Sequence, residues 1–235
     1  MSGTAVLFIL LIVSSIPAIA VFLWFHLARY PFSPLRFSIF LLAGAASFFP
    51  ALFLQKLLTA KNDIFLIAGK WDIVAKIFIN IALTEELSRL LVLVLLFALI
   101  RRVRPPAPEG QNPQGTDVSP FTMACAAGLV AGLGFAILES AVYGASNPTN
   151  ALLRAFTAAP LHGACGFRVG AAIGMFRENP AQAVFRFLTA VIIHGIYNFM
   201  LLIPGPLPPI GATLIALSAL ASAAVAIRSG MRGET

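Results

Sequence analysis

Two adjacent carboxylates and a guanidinium interrupt one of the most apolar stretches of the chain, NIALTEELSRLLVLVLLFALI, residues 80–100. Glu85 and Glu86 lie four and three residues before Arg89. On a helix, either can pair with Arg89 on one face. Neighbouring residues point about 100° apart, so Arg89 neutralises one carboxylate well and the other faces a neighbouring helix. The same kind of interruption recurs downstream. Glu139 lies in GLVAGLGFAILESAVYG, His162 in APLHGACGFRVG, and His194 with Asn198 in HGIYNF. His194 and Asn198 are four apart and share a helical face.

Carboxylates, imidazoles and an amide form a general acid–base set. A carboxylate can take a proton from water, and His194 and Asn198 can donate hydrogen bonds to a developing oxyanion. Together they would support peptide hydrolysis without a covalent enzyme intermediate. No nucleophile signature competes: nothing marks Ser88 as activated, and Cys165 has no thiolate-stabilising setting. Glu86, Glu139, His162 and His194 would also suit zinc as ligands. Neither HExxH nor the bundle-type Glu-x-x-His pattern occurs, so spacing points to no metal and leaves zinc open. A proton- or cation-coupled transporter could use the same Glu/His cluster, but the inverted repeats of such proteins are not found. A catalytically idle scaffold would not need so complete a set.

Composition tells what must hold these groups. Of 235 residues, 59% are hydrophobic and 11% charged, whereas a soluble domain is roughly half apolar and roughly a quarter charged. A bilayer core takes about 20 apolar residues of helix. Seven spans are expected, near 4–28, 36–58, 72–100, 120–144, 151–176, 183–203 and 207–228. The fold expected is an all-α, polytopic integral membrane helical bundle forming a single membrane domain over 1–235. A charge at mid-span costs about 2.5–3.5 kcal/mol, so three carboxylates and two guanidiniums (Arg168 included) facing lipid would cost on the order of 10 kcal/mol. They must face one another or a wet cavity. Glycines in the fourth and fifth spans let helices approach closely around it. Arg168 reads as structural or as snorkelling to an interface.

The net charge of +7 comes mostly from residues at the edges of apolar runs, which orient a membrane protein and argue against a nucleic-acid partner. With the N-terminus outside, Arg29, Arg36, Arg101, Arg102, Arg104, Arg177, Arg186, Arg228 and Arg232 lie inside, against Lys56, Lys61, Lys70, Lys76 and Arg154 outside. This bias puts the C-terminus inside. RRVRPPAPEGQNPQGTDVSP supplies a mobile inner loop, 101–119. KLLTAKNDIFLIAGKWDIVAK, 56–76, reads either as an interfacial amphipathic segment or as a solvated loop. Cys125 and Cys165 lie in apolar segments and are expected to be buried and unpaired.

The motifs EELSR (85–89), GLGFAILESAVYG (132–144), APLHGACGFRVG (159–170) and HGIYNF (194–199) resemble, in this order, those of PrsW-type intramembrane proteases, distant relatives of the CAAX prenyl endopeptidases and the wider CPBP group. Glu85 and Glu86 fall on the paired glutamates, Phe135 and Glu139 on Phe-x-x-x-Glu, His162 on the third motif, and His194 with Asn198 on the last. Arg89 stands where the family usually has Lys; it keeps the charge and changes the geometry. The motif-bearing core runs over 71–203. The resemblance implies a glutamic-type intramembrane endopeptidase without an obligatory metal. Its site would be Glu85, Glu86, Glu139, His162, His194 and Asn198, with Arg89 pairing charge. Its substrate would be a membrane protein or peptide in the lipid bilayer, an anti-sigma factor among the candidates. A multi-pass place in a prokaryotic plasma membrane follows from the same resemblance.

Overall fold

The computed structural model describes residues 3–60, 70–103, 118–145 and 148–231. Apart from short connecting turns it is helical: α1 (Gly3–Leu27), α2 (Pro34–Ala60), α3 (Lys70–Ala75), a π-helical segment (Lys76–Leu83) continuing into α4 (Thr84–Val103), α5 (Pro120–Gly144), α6 (Pro148–Met175), α7 (Pro180–Leu202) and α8 (Leu207–Met231). With α3 to α4 counted as one continuous stretch, the seven long helical runs coincide with the seven expected spans. The greater part of the loop 101–119, and residues 61–69 of the 56–76 segment, lie outside the described residues.

Local chemistry sets the helix starts. Proline opens α2, α5 and α7, where its missing N–H costs nothing. The residue before each proline caps the helix: Ser33 Oγ accepts from the Arg36 N–H (3.2 Å), Ser119 Oγ from that of Thr122 (3.1 Å), and Asn179 Oδ1 from that of Gln182 (3.0 Å). At the turn after α1, Tyr30 reaches across to donate its hydroxyl to the Thr122 carbonyl (3.1 Å). Around it Phe25, Phe32, Phe37 and Phe40 form an aromatic cluster that pins α1 and α2 to the bundle.

Five helices, over 8–27, 34–59, 120–144, 180–202 and 207–231, are long and apolar enough to cross a membrane by length and composition. The two remaining long stretches carry Glu85, Glu86 and Arg89, and Arg154, His162 and Arg168, whose polarity lowers their hydropathy. The outer faces bear exposed Leu, Ile and Phe on every long helix except α5, whose exposed apolar residue is Val142. Apolar surface on that scale suits lipid rather than water. Within the bundle α5 is central: 78% of its apolar window is buried, against 22–33% in the other four.

Backbone proximity makes that centre possible. Gly128 and Gly132 on α5 face Gly166 and the His162 carbonyl on α6, and Gly44 on α2 faces Ala131 of α5. A Cβ on Gly132 would overlap the His162 carbonyl oxygen, so glycine here sets how close His162 comes to α5. Arg168 donates to the Ala164 carbonyl (2.9 Å) and to Ser222 Oγ on α8 (3.1 Å), the structural tie expected of it. Cys125 and Cys165 are buried and free.

Gly132→Val should lower the stability of the purified protein by about 1–3 kcal/mol, the usual cost of overpacking. Gly163→Ala meets nothing nearer than the flexible end of the Leu133 side chain, at 3.3 Å, and should be tolerated. Thermal unfolding in detergent measures both; equal midpoints would contradict the packing described.

Candidate active site

The helix that carries the acidic pair is prepared by the turn before it. Lys76–Leu83 is π-helical, a wider turn common at functional sites. Thr84 closes it by donating its hydroxyl to the carbonyls of Asn80 (2.7 Å) and Ile81 (3.0 Å). Phe78 within it packs where Gly195 of α7 lacks a side chain. The π-helical segment and α7 thereby come together beside His194, one residue before that glycine.

Glu86 and Arg89 form a fully buried ion pair one helical turn apart. The other oxygen of Glu86 accepts from Nδ1–H of His194 (2.8 Å). Arg89 extends its second guanidinium nitrogen to His162 Nδ1 (3.3 Å) and lies over the Phe135 ring, 4.8 Å from its centroid. His162 donates Nε2–H to Glu139 (2.7 Å), and Glu139 is ion-paired with Arg154. The two imidazoles meet edge to face, their centroids 5.0 Å apart. Glu85 is held differently. Its Oε1 accepts from Gln55 of α2 (3.0 Å), and its Oε2 lies 3.6 Å from His194 Nε2 with no hydrogen-bond partner among the described residues.

α4, α5, α6 and α7 therefore bring Glu85, Glu86, Arg89, Glu139, His162 and His194 into one buried cluster. Asn198, the remaining candidate, sits one turn beyond His194, half-buried and without a hydrogen-bond partner among the described residues. Ser88 is buried on α4 without a hydrogen bond among the described residues, and Cys165 Sγ donates to the Ala190 carbonyl (3.5 Å). Beside the cluster a cavity of about 100 Å³ is lined by Phe48, Ala51, Leu52 and Gln55 of α2, Glu85 of α4, and Phe135, Glu139, Val142 and Tyr143 of α5.

Two members of the cluster were not legible as site residues. Arg154 reads in sequence as a basic residue at a span end. Yet it pairs with Glu139 and stacks on the Tyr143 ring at 4.4 Å. Its signal was available: Arg154, Ala158 and His162 fall on one helical face at i, i+4, i+8. Gln55 reads as the polar end of the second span, next to Lys56, and its link to Glu85 crosses 30 residues. Three carboxylates against Arg89 and Arg154 leave one negative charge in the cluster when both imidazoles are neutral and none when one of them is protonated.

The donor set bears on metal binding. Glu85, His162 and His194 each offer a ligand atom within 4.8 Å of the others. The 3.6 Å between Glu85 Oε2 and His194 Nε2 is close to the roughly 3.3 Å separating two ligands of a tetrahedral zinc. Glu86 on the far nitrogen of His194 matches the carboxylate that orients a ligating imidazole. This chemistry fits a divalent cation. Its carboxylate is Glu85, whereas the sequence suggested Glu86 and Glu139; those two are already taken up by guanidiniums. His162 would join only by leaving a present contact, since Glu139 and Arg89 occupy its two nitrogens.

No curated protein and no solved structure matches the chain. The family model described as "PrsW family intramembrane metalloprotease" matches residues 33–226, a wider stretch than the motif-bearing 71–203, and one that takes in α2 with Gln55. An acidic pair, a Phe-x-x-x-Glu element and two histidines converge inside a bundle of apolar helices, and a family match covers most of the chain: this multi-pass membrane protein belongs to the PrsW family of intramembrane proteases.

Proposed function

We propose that the chain is a glutamic-type endopeptidase, cleaving a peptide bond of a membrane protein with Glu85 as the base that activates water. One observation carries the choice. Of the three carboxylates, Glu85 is the one that no guanidinium holds; the residue lines the cavity, and its Oε2 has no hydrogen bond among the described residues. A base must reach the water whose proton it takes. Glu86 and Glu139 are each committed to an arginine and a histidine.

In this reading Glu85 Oε2 takes a proton from water as oxygen attacks the carbonyl carbon, and returns it to the departing amine nitrogen. Glu86, paired with Arg89, fixes His194, whose Nε2 lies 3.6 Å from Glu85 Oε2. The Nε2–H of a protonated His194 and the Asn198 amide, a turn apart, are the donors for the carbonyl oxygen. Glu139, Arg154 and His162 form the opposite wall and keep Arg89 in place. Membrane protein substrates follow from the family; an anti-sigma factor is the substrate class we favour. A prokaryotic plasma membrane with the N-terminus outside fits the basic bias of the loops.

The ligand-like spacing of Glu85 and His194 favours one second reading, a metal-dependent protease. Glu85 and His194, joined by His162, would hold the ion, which when bound would supply a Lewis acid and a more acidic water.

Membrane proteomes of cells expressing the wild-type chain or Glu85→Gln should differ by at least one fragment seen only with the former. On the substrate so identified the variant should be at least about 100-fold slower while unfolding at the same temperature. A fragment formed equally by both chains would rule Glu85 out as the base. Purified protein stripped with a chelator and checked by elemental analysis should keep its activity. Stoichiometric zinc, with activity lost on removal and restored on readdition, would favour the second reading instead.

A further inference from the structure

Peptide hydrolysis consumes water, and nearly every polar group of the cluster is sealed. Glu86 and Arg89 have no exposed surface, and His162 and His194 have 1% each. Resting on the protease reading, we propose that water reaches Glu85 along the C-terminal half of α2, through a cleft walled by Leu52, Gln55, Lys56 and Thr59.

Three observations converge on that route. An open groove of about 510 Å³ lies along one face of α2, lined among the described residues by these four. The inner cavity of about 100 Å³ at Glu85 shares two of them, Leu52 and Gln55. The two spaces therefore meet at one side chain that is apolar and one that is bonded to the proposed base. The chemistry of the walls changes in the right direction along α2. Phe48 and Ala51 close the inner end, Gln55 sits at the junction, and Lys56 and Thr59 line the outer end, where the long stem of a lysine lets its ammonium reach the interface. Positions 52, 55, 56 and 59 follow the i, i+3, i+4, i+7 spacing of one helical face, while Phe49 and Phe53 lie exposed and outside both linings, as lipid-facing residues do. The inner cavity has room for more than one water, each needing about 10–15 Å³ of this kind of volume and two or more polar partners. Glu85 Oε2, Gln55, Glu139 and Tyr143 supply such partners.

Gln55 has a defined part in this arrangement. By donating Nε2–H to Oε1 of Glu85 it ties the proposed base to α2 at the junction of the two spaces and leaves Oε2 without a hydrogen bond among the described residues. It is a positioning residue.

The route can be tested without a substrate by cysteine labelling of the full-length protein in membranes. Single cysteines at Leu52, Lys56 and Thr59, and at Phe49 and Phe53 as lipid-face controls, are treated with a charged methanethiosulfonate that reacts with thiolate in water. The native Cys125 and Cys165, both buried, give the baseline. The three cleft positions should be modified at least about tenfold faster than the two controls, since thiolate forms only where water reaches the sulfur. Glu85→Cys should be modified more slowly than Lys56→Cys, and adding Leu52→Trp should slow it by a further factor of about ten. Equal rates at the cleft and control positions would overturn the route, and this arm involves only surface substitutions that spare folding. Unchanged modification of Glu85→Cys in the presence of Leu52→Trp would overturn it as well. Labelling and proteolysis are read separately. Cleavage by a chain whose cleft does not label sinks the route alone, and a cleft that labels in a chain without cleavage sinks the protease reading alone.

Discussion

An arginine with no exposed surface, in a helix surrounded by apolar neighbours, has to be neutralised where it stands. Arg89 is the largest fully buried side chain described in the protein, and the organisation around it follows from that constraint. Its partner Glu86 lies one turn earlier on the same helix, so α4 carries its own ion pair into the bundle. Desolvating two charges is costly, and the remaining lone pairs and protons must be met for the pair to persist. His194 on α7 and His162 on α6 meet two of them, Arg89 Nε has no hydrogen-bond partner among the described residues, and Phe135 on α5 offers its ring face to the guanidinium. Three helices that share no sequence neighbourhood with the pair are thereby drawn to it.

The same constraint divides labour among the carboxylates. Glu86 belongs to Arg89 and Glu139 to Arg154, and each also receives an imidazole N–H. Those four contacts tie α4 to α7 and α5 to α6. Glu85, a residue away from Glu86 and so turned by about 100° on the helix, receives a neutral amide instead and borders the cavity. A reactive group has to be held in place by its surround, and on the proposed reading Glu85 is that group. Close packing underlies it, because the glycines of α5 and α6 set the separation at which His162 can touch both Glu139 and Arg89.

Much of this could be read in the chain before its structure. Seven long helical stretches stand among the described residues where the sequence showed seven apolar runs, five of them long and apolar enough to cross a bilayer. The cluster was legible because a charge in an apolar run has so few places to go. Arg154 and Gln55 were missed for the complementary reason. Near a span end a polar residue is cheap at the interface, so its presence carries little information, and only the helical face it shares with His162 distinguishes Arg154. The π-helical turn before Thr84 had no signature in KIFINIAL, an apolar run that would suit an ordinary helix equally well. The group with ligand-like spacing contains Glu85, where the sequence offered Glu86 and Glu139, because which glutamate is left without a guanidinium depends on arginines contributed by two different helices.

The claim on which all of this rests is that Glu86 and Arg89 are energetically one unit. A double-mutant cycle with Glu86→Gln, Arg89→Met and the pair, read by equilibrium unfolding in detergent, measures it directly. Each single variant leaves a buried charge without its partner and should cost about 3–5 kcal/mol, while the double variant should recover much of that loss. Additivity within about 0.5 kcal/mol would mean that the two side chains do not depend on each other, and the bundle would need another explanation for its centre.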